Sequence, residues 1–544
     1  MIEAYKKAFI AVDGLNDGAI TISAPSTIAS VNAFYGALDA NKVANMMPPG
    51  FLQSAPEKYI KRFDSKTVFI FDSFLSDELI DKLYAAGVRN LIITSAADYM
   101  SPTVKLFAKQ KGMIRKSSFA DEFVKAHKVF PAGMEVLNVS QFADIGRCVQ
   151  DTYSFAYEEN RFAMRFLTGA TTSHEPKCVK LSTDSFAEMC GVYERLWFDF
   201  QPKERLLVLI PLFYTTGTVH GLHMGLIEGM TLVYQPKYDR YTFGKDLLDS
   251  KAQVALVAPS HVATLDEADL ADGSLGHVKY LFVGGEAINP AQMAKFRKTA
   301  KRLGIQYILN GYGMTELGGM AGISDPECNG DGDVTISPVP GVKFRVMDAQ
   351  TGEEQPDNVR GVLEVSSPCA TLGYYDEAKN TALFTADGWI HTGDIAVRHD
   401  NGRYRVFGRD SDYFVNGGKS YAMFDIEEKV LELEEVSEAE VIKFKIGTDE
   451  QPAVVAVLKQ SQTPTSVVLE KICSLCVPGM VYLLGIKFIE NFKTNPVTSK
   501  RDSLSLYEDT KRYYTTDGKG GFYCVDVGGD RTPIAAEDVR IIGS

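Results

Sequence analysis

Short apolar runs alternate with amphipathic stretches over about the first 330 residues of the chain. The apolar runs include TVFIF at 67–71, LLVLI at 206–210 and VALVA at 254–258, each short enough for a buried strand. Between such runs, apolar residues recur at helical spacing, as in DELIDKLYAAG at 77–87 and in Pro290–Leu303. Strands that alternate with helices are typical of parallel sheets. The pattern therefore predicts a large α/β N-terminal domain in which helices flank parallel sheets.

The pattern changes near residue 332. From there to residue 407, short strands are separated by turns rich in Pro and Gly, which predicts a small β-barrel-like unit within the large domain. Helical and strand patterns resume after residue 407 and predict a small α+β domain over residues 408–507. The large domain then covers residues 1–407. Residues 508–544 form an extra tail, in which Gly528-Gly529 marks a β-hairpin.

Composition and charge narrow the class of protein. A chain of 544 residues is too long for one core and predicts two to four domains. The net charge of -13 argues against a general nucleic-acid or anionic-membrane surface. No apolar run approaches the ~20 residues that span a bilayer, and the N-terminus lacks the pattern of a signal peptide. The eight cysteines are scattered and form no disulfide framework, so the sequence predicts a reduced cytoplasmic protein.

A first candidate for chemistry is the segment LTGATTSHEPKCVKLS at 167–182, which follows the strand-like MRF. It combines one glycine, several hydroxyl residues and Lys177. Such a loop offers backbone N–H groups and hydroxyls to phosphate oxygens, with the lysine as a point charge. The spacing is not that of a Walker A loop. A Ser/Thr-rich surface turn has the same composition, so the segment alone leaves both interpretations open.

A second candidate is NGYGMTELGG at 310–319, directly after the apolar run IQYIL. A strand that ends in a Gly-rich turn is where open α/β sheets place ligands. Tyr312 can stack on a planar ring. Thr315 and Glu316 carry the hydroxyl and carboxylate oxygens that Mg²⁺ prefers. Glycines also occur at strand ends for packing alone, so this motif is again only suggestive by itself.

The third candidate runs from Asp387 to Glu428 and is dense in Gly, Asp and Asn. Asp394 follows a Thr-Gly pair, where a carboxylate can be held out to bind hydroxyls. Arg409 follows a glycine, and AMFDIEEKVLELEEV then starts a new helix. A segment of this kind between two folded units is either an active-site hinge or a plain linker. Its residues alone leave both interpretations open.

In this order and spacing, the motifs resemble those of the adenylate-forming (AMP-binding) enzyme superfamily, which includes acyl-CoA synthetases, stand-alone adenylation domains and luciferases. LTGATTSHEPK resembles the phosphate loop, and PLFYTTG at 211–217 resembles the acyl-pocket segment. VGGEAI at 283–288 and NGYGMTE resemble the adenine and Mg²⁺ segments. GWIHTGD at 388–394 and the stretch 408–428 resemble the ribose motif and the hinge. The resemblance covers about residues 15 to 507 and is closest in style to acyl- or aryl-CoA ligases.

The resemblance implies a two-step reaction. A carboxylate attacks the α-phosphate of Mg·ATP, giving an acyl-adenylate and pyrophosphate. A small mobile C-terminal domain then swings, and a thiol displaces AMP to form a thioester. The first step brings two anions together, so cations and oriented N–H groups must neutralise the charge that develops at phosphorus. The implied cofactors are ATP and Mg²⁺, with CoA or carrier-bound phosphopantetheine as the thiol acceptor.

The resemblance also assigns roles to residues of this chain. The residues implied to be catalytic are Lys500, Thr315, Glu316 and Lys177, with Glu316 also the metal ligand. The residues implied to bind the nucleotide are Thr168, Gly169, Thr171, Thr172, Gly285, Glu286, Asn310, Gly311, Tyr312, Asp394 and Arg409. The acyl pocket is assigned to Phe213, Tyr214, Thr215, Gly217, Met314 and Gly318. Ser411 is the implied hinge, and Gly417 and Gly418 line the implied thiol channel. A solvated surface lysine is the alternative for Lys500.

Several residues depart from the family pattern. The phosphate loop is about two residues longer than usual and lacks its second glycine. Tyr214 stands where the acyl-pocket motif usually has His, and Ser411 stands where the hinge usually has Asp or Lys. The loop that carries Lys500 reads Thr-Ser-Lys instead of a Thr-Gly-Lys-like pattern.

The sequence narrows the acid substrate only partly. PLFYTTGTVHGLHMG contains no Asp to hold an α-ammonium group, which disfavours amino acids, and its neutral side chains suit an aliphatic or aryl carboxylate. An acyl- or aryl-CoA synthetase is the leading interpretation. An adenylation enzyme that loads a carrier protein in a peptide or polyketide pathway is the alternative. A catalytically degenerate nucleotide-binding homologue is the third interpretation, prompted by the altered phosphate loop.

Overall fold

The structure is a computed structural model. It describes residues 1–15, 18–112, 114, 130–168, 176–235, 242–266, 268–326, 330, 332–416, 419–446, 449–459, 463–475, 485–490, 492, 513–517, 519–526 and 530–541. No helix within these ranges is both long and apolar enough to cross a membrane.

The elements of the N-terminal domain alternate between strands and helices. Its strands are β1 Ala19–Ser23, β2 Val43–Met46, β3 Thr67–Phe71, β4 Asn90–Thr94, β5 Glu135–Asn138, β6 Phe162–Leu167, β7 Cys178–Ser182, β8 Arg205–Val208, β9 Thr231–Tyr234, β10 Val254–Val257, β11 Tyr280–Gly284, β12 Tyr307–Met314, β13 Gly319–Ile323, β14 Ser337–Pro338, β15 Lys343–Met347, β16 Arg360–Ser366, β17 Gly373–Tyr374, β18 Ile390–Arg398 and β19 Tyr404–Arg409. Its α-helices are Ile2–Asp13, Ile28–Asp39, Pro49–Ser54, Pro56–Phe63, Asp77–Ala86, Pro102–Gln110, Val139–Cys148, Thr183–Glu194, Gly225–Ile227, Phe243–Ser250, Pro259–Leu265 and Pro290–Leu303.

The first large sheet has eight strands in the order β17-β7-β6-β2-β1-β3-β4-β5. The strands from β6 to β5 in this order are parallel, and β7 and β17 are antiparallel additions at one edge. All five residues of β1 are buried. Burial on both faces is what a parallel sheet covered by helices requires.

The second large sheet has seven strands in the order β14-β13-β12-β11-β10-β8-β9. The strands from β12 to β9 in this order are parallel, and β13 returns antiparallel to β12. The carboxyl ends of β8, β10, β11 and β12 therefore meet at one edge of this sheet. Open α/β sheets bind ligands at that edge.

Local chemistry fixes where individual helices begin and end. The helix Pro290–Leu303 has the bounds that the sequence predicts. Asn289 and Gln292 form a capping box at its start, and proline occupies its first position. Gly304 ends it in the left-handed conformation, with φ of 84°.

A smaller four-stranded antiparallel sheet, in the order β15-β16-β18-β19, closes the N-terminal domain. Aromatic and aliphatic side chains join this unit to the main core, since Phe344 and Tyr404 belong to the same buried cluster as the first sheet. The rings of Phe344 and Tyr404 pack edge to face, 5.2 Å apart. The unit therefore forms one wall above the edge where the two large sheets meet.

The C-terminal domain is built on a six-stranded, mostly antiparallel sheet. Its strands are β20 Tyr413–Asn416, β21 Lys419–Ala422, β22 Val436–Ile446, β23 Asp449–Leu458, β24 Gly485–Ile489, β25 Tyr513–Thr516, β26 Phe522–Val525 and β27 Arg531–Ile534. Its helices are Met423–Leu431 and Thr465–Leu475. β22 to β27 form one sheet in sequence order, in which only β23 and β24 pair in parallel. The predicted hairpin residues Gly528 and Gly529 lie outside the described residues, between the antiparallel strands β26 and β27.

The predicted fold class is confirmed. The chain has a large N-terminal α/β domain with parallel sheets, followed by a smaller C-terminal domain. The pattern places the helix after β8 near Gly217–Glu228, but most of this helix is π-helical, over Thr216–Met224. A period of 3.6 residues does not reveal a wider π-turn, which is a local insertion in the hydrogen-bond ladder.

Candidate active site

A deep cleft lies where the carboxyl ends of the two large sheets face the four-stranded sheet. It encloses about 1080 Å³. The predicted site residues that line it are Thr168, Lys177, Tyr214, Thr215, Gly285, Glu286, Gly311, Tyr312, Met314, Thr315, Glu316, Arg409 and Ser411. Residues that the sequence places far apart therefore share one cavity.

Asp394 lies directly behind the cleft lining, between the phenol of Tyr312 and the guanidinium of Arg409, which both line the cleft. It is 7% exposed. The Tyr312 hydroxyl donates to Oδ2 at 2.6 Å, and Arg409 Nε lies 3.2 Å from Oδ1. Asp394 faces Arg409 directly across the pair β18–β19, so the antiparallel register sets this ion pair. Arg409 is fixed further by donating to the Thr392 carbonyl at 2.8 Å.

The charge states of this trio follow from burial and proximity. Burial raises the pKa of Asp394, while Arg409 and the Tyr312 hydroxyl act in the opposite direction. Burial and the adjacent Asp394 raise the pKa of Tyr312 well above its ordinary value. Burial disfavours the Arg409 cation, but Asp394 and Tyr312 outweigh it and raise the pKa of Arg409. Arg409 and the Tyr312 hydroxyl therefore stabilise Asp394 as a carboxylate, and Asp394 stabilises the Arg409 guanidinium.

A second polar group connects Lys177 to Glu316 through a tyrosine. The Tyr374 hydroxyl donates to Glu316 Oε1 at 2.8 Å and accepts from Lys177 Nζ at 3.3 Å. Glu316 is 5% exposed and follows β12 in a short 3₁₀ turn. Its Oε2 has no hydrogen-bond partner within the described ranges. One carboxylate oxygen is thus held in place while the other can still accept a ligand.

The base of the predicted phosphate loop is closed by the backbone. Thr168 N–H donates to the Lys177 carbonyl at 2.9 Å, so the two ends of the loop are held together at the strands β6 and β7. Gly169, Thr171 and Thr172 lie outside the described residues.

The predicted acyl-pocket residues divide into two groups. Tyr214, Thr215 and Met314 line the cleft, whereas Phe213, Gly217 and Gly318 lie behind its wall. A Cβ at Gly217 would lie 2.1 Å from the Pro211 carbonyl oxygen, and one at Gly318 would lie 2.5 Å from the Cys369 carbonyl oxygen.

The two glycines therefore allow close backbone packing. Gly318 also has φ of 74°, which favours glycine.

The remaining predicted residues are spread around or beyond the cleft. Asn310 turns its amide away to donate to the Val334 carbonyl at 2.7 Å. Ser411 lies exposed at the cleft rim, between the two domains. Lys500, Gly417 and Gly418 lie outside the described residues.

The cleft residues that the sequence motifs do not identify include Tyr374, Tyr193 and His220. Tyr374 comes from an edge strand of the first sheet, 58 residues after Glu316. Tyr193 and His220 bond to each other at 2.6 Å from two different helices. His220 also accepts from the Met320 amide, so both of its ring nitrogens have partners.

Comparison with known proteins gives a consistent result. A long-chain-fatty-acid–CoA ligase of Bacillus subtilis is 24% identical over 448 residues, covering 79% of this chain and 75% of the relative. A 2-succinylbenzoate–CoA ligase of Bacillus cytotoxicus is 28% identical over 62% of this chain and 68% of its own length. Luciferin 4-monooxygenase of Photinus pyralis is 26% identical, and the chain spans about half of its length (56%).

Solved structures share the fold over nearly the whole chain. ATP-bound MatB from Rhodopseudomonas palustris superimposes with a TM-score of 0.72 at 19% identity, covering 93% of this chain and 92% of that one. The anthranilate CoA ligase AuaEII, in complex with anthranoyl-AMP, gives a TM-score of 0.73 at 17% identity, covering 93% of this chain and 91% of that one. The model of the AMP-binding enzyme family matches residues 8–375, well over half of the chain. The chain belongs to the AMP-binding enzyme family.

Proposed function

We propose that the protein is an AMP-forming acid–thiol ligase of the acyl- or aryl-CoA synthetase type. It activates a carboxylic acid with ATP as an acyl-adenylate and then transfers the acyl group to a thiol. Family membership supports the overall reaction, since relatives of this chain are acyl- and aryl-CoA ligases. The single observation that carries the nucleotide site is the buried Asp394 carboxylate, held between the cleft-lining residues Tyr312 and Arg409.

The first half-reaction needs groups that bind the nucleotide and reduce anion repulsion. Asp394 can accept hydrogen bonds from two vicinal ribose hydroxyls, because an ionised carboxylate has two acceptor oxygens. Arg409 and Lys177 both line the cleft and contribute positive charge to it. The arriving carboxylate therefore meets fixed cations at the point where negative charge accumulates.

The donor set near Glu316 also fits a magnesium ion. Glu316 offers an unpartnered carboxylate oxygen into the cleft, and Thr315 offers a neighbouring hydroxyl. Mg²⁺ prefers such oxygen ligands, together with substrate phosphates. When bound, the ion would neutralise phosphate charge. Tyr374 holds Glu316 in the orientation that this task requires.

The second half-reaction involves the smaller domain. We place the hinge at Ser411, just after β19 of the N-terminal domain, with Gly417 and Gly418 in the thiol channel. Lys500 contributes to adenylate formation only. The acidic chain, with a net charge of -13, is not suited to the acidic phosphopantetheine carriers. We therefore favour CoA over a carrier protein as the acceptor.

The test is exchange of radiolabelled pyrophosphate into ATP, with a panel of fatty, aryl and amino acids. Exchange with one or more free acids is expected. A panel without any exchange would refute both enzyme interpretations and leave the degenerate homologue. Adding CoA in one reaction and a phosphopantetheinylated carrier protein in another, and measuring AMP release, then separates the two acceptors.

A further inference from the structure

The hydrogen-bond pattern around His220 fixes the position of its proton. The Met320 N–H donates to His220 Nε2 at 3.1 Å, so Nε2 is an acceptor and carries no proton. The ring is 4% exposed, and burial lowers the pKa of His220 to about 4. A neutral imidazole with a bare Nε2 must carry its proton on Nδ1.

That tautomer determines the role of Tyr193. The Tyr193 hydroxyl lies 2.6 Å from His220 Nδ1. Because Nδ1 carries the proton, the histidine donates and the phenol oxygen accepts. The phenol's own proton is then left to donate elsewhere. Within the described ranges Tyr193 has no second hydrogen-bond partner, although it is 3% exposed and lines the cleft.

Thr215 is a second unsatisfied group on the cleft wall. It is 3% exposed, and its Oγ1 has no hydrogen-bond partner within the described part of the chain. Thr218 in the same helix shows the usual arrangement, since its hydroxyl donates to the Leu212 carbonyl. A buried hydroxyl without a partner costs roughly 1–3 kcal/mol, so such groups normally have a partner in the functional state.

Among the described residues, the charged side chain that acts on the Tyr193 hydroxyl is Glu228, which is acidic and therefore also disfavours an anion there. Apolar side chains of Leu209, Leu256 and Phe282 line the same cleft. His220 is uncharged, and burial also raises the pKa of Tyr193, so neither group supplies a counter-charge. A second anionic group on the ligand would be costly in such a place. An uncharged oxygen would accept the Tyr193 proton without that cost.

We propose that the acid activated by this enzyme carries, besides its reacting carboxylate, an uncharged oxygen acceptor such as a ketone, which binds the Tyr193 and Thr215 hydroxyls. This inference rests on the proposed function and names the substrate class of that site. It predicts that plain hydrocarbon acids are poor substrates, because they would bury both hydroxyls unpaired.

The test compares acids that differ only in this oxygen. The pairs are 5-oxohexanoate with 5-methylhexanoate, 7-oxooctanoate with 7-methyloctanoate, and 4-acetylbenzoate with 4-isopropylbenzoate. In each pair a methyl group replaces the ketone oxygen at nearly constant shape. The measured quantity is kcat/KM for pyrophosphate exchange. In at least one pair the oxo acid should be favoured by about tenfold or more, as expected when an apolar analogue leaves buried donors unpaired.

Variants then assign the preference to the two hydroxyls. Thr215→Val and Tyr193→Phe should each reduce the oxo-to-methyl ratio by roughly two- to tenfold, the range expected for one neutral hydrogen bond. Tyr234→Phe is the matched control. Its buried hydroxyl is also unpartnered within the described residues, but Tyr234 does not line the cleft, so the ratio should stay unchanged.

The outcomes separate the inference from the proposed function. Equal or better exchange with the methyl acids would overturn the inference while the ligase function stands. A parallel loss for both acids in Tyr193→Phe would also overturn it, since the phenol would then serve the reacting carboxylate. No exchange with any acid, in this set or in the wider panel, would overturn the ligase function and the inference with it. The wild-type ratio needs no variant, so a misfolded variant does not prevent the test.

Discussion

Replacing Tyr312 with Phe tests whether Tyr312, Asp394 and Arg409 have the charge states described above. The substitution removes one oxygen and keeps the ring, which packs edge to face on Phe344 at 6.0 Å. Asp394 then loses the donor to its Oδ2 and keeps only Arg409 as a charged partner. The loss of a hydrogen bond is therefore separated from the loss of packing.

The expected loss of stability follows from the geometry of the hydrogen bond between Tyr312 and Asp394. The distance of 2.6 Å between Tyr312 Oη and Asp394 Oδ2 is that of a charge-assisted hydrogen bond. Hydrogen bonds to charged groups contribute about 1.5–3 kcal/mol, and Asp394 is too buried for water to replace the donor easily. We expect Tyr312→Phe to lower the free energy of unfolding of the N-terminal domain by about 2 kcal/mol. With a urea m-value of about 3 kcal/mol/M, the midpoint falls by roughly 0.7 M.

Tryptophan fluorescence during urea unfolding measures this change. The chain has two tryptophans, Trp197 and Trp389, and both lie in the N-terminal domain, so their signal reports on that domain. The control is Tyr307→Phe on the same strand. Its ring stacks on Tyr280 and its hydroxyl has no partner within the described ranges, so the change should stay within ~0.5 kcal/mol.

The pH dependence of the stability difference between the two proteins provides a further check on the ionisation of Asp394. Burial already places the folded-state pKa of Asp394 above 3.8, and the Tyr312 hydroxyl holds it down. Removing that hydroxyl raises this pKa further, which costs stability only where the carboxylate is ionised. The difference between the two proteins should be full at neutral pH and shrink as the pH falls through the folded-state pKa. A difference below ~0.5 kcal/mol at neutral pH, or one that grows on acidification, would refute the assigned charge states.

Three further predictions concern other parts of the site. Tyr374→Phe should raise the Mg²⁺ concentration for half-maximal pyrophosphate exchange by about tenfold or more, because a metal-binding carboxylate would lose the donor that orients it; an unchanged Mg²⁺ dependence would contradict this role. Lys500→Ala should abolish most pyrophosphate exchange but spare thioester formation from supplied acyl-AMP, and equal loss of both would show that the assignment is wrong. Gly319→Ala should destabilise the protein by more than ~2 kcal/mol in the same urea assay, because φ is 134° and a Cβ would lie 2.2 Å from His220 Nε2; normal stability would contradict this geometry.

The hydrophobic pattern of the sequence predicts the strands and helices of the large domain well, because each element is marked by residues within it or next to it. Buried strands such as Thr67–Phe71 are continuous apolar runs, and the helix Pro290–Leu303 carries its own start and stop residues. The sheet formed by β22 to β27 is harder to foresee. β24 and β25 pair through a single register contact, Ile486 with Tyr514, and no local pattern specifies such a distant partner.

The difference between local patterns and distant contacts also explains which site residues the motifs identify. Tyr312, Glu316 and Asp394 lie in Gly-rich turns after strands, and such turns are visible in the sequence. Tyr374 and Tyr193 lie in an edge strand and in an amphipathic helix, where an aromatic residue is ordinarily part of the core. Only the fold shows that their hydroxyls point to polar partners.

The segment around the proposed hinge, Ser411, contacts both the cleft and the C-terminal domain. Arg409, two residues before Ser411, pairs with Asp394 in the N-terminal domain. On the other side, Lys443 of the C-terminal domain donates to the carbonyls of Ser411 and Tyr413 at 3.1 and 2.8 Å. The two sides of the proposed pivot thus contact different domains, and a rotation at Ser411 would break the hydrogen bonds between Arg409 and Asp412 that span it.

Contacts beyond the pivot hold the present orientation of the domains. Arg360 on β16 forms a bidentate pair with Asp425 at 2.9 Å, and Arg405 on β19 pairs with Glu428 at 2.7 Å. Both carboxylates belong to the helix Met423–Leu431 of the C-terminal domain. These pairs are partly exposed, and exposed ion pairs contribute only about 0–1 kcal/mol each. A domain rotation that breaks them would therefore meet a small electrostatic cost, which suits the proposed two-step reaction with its two domain orientations.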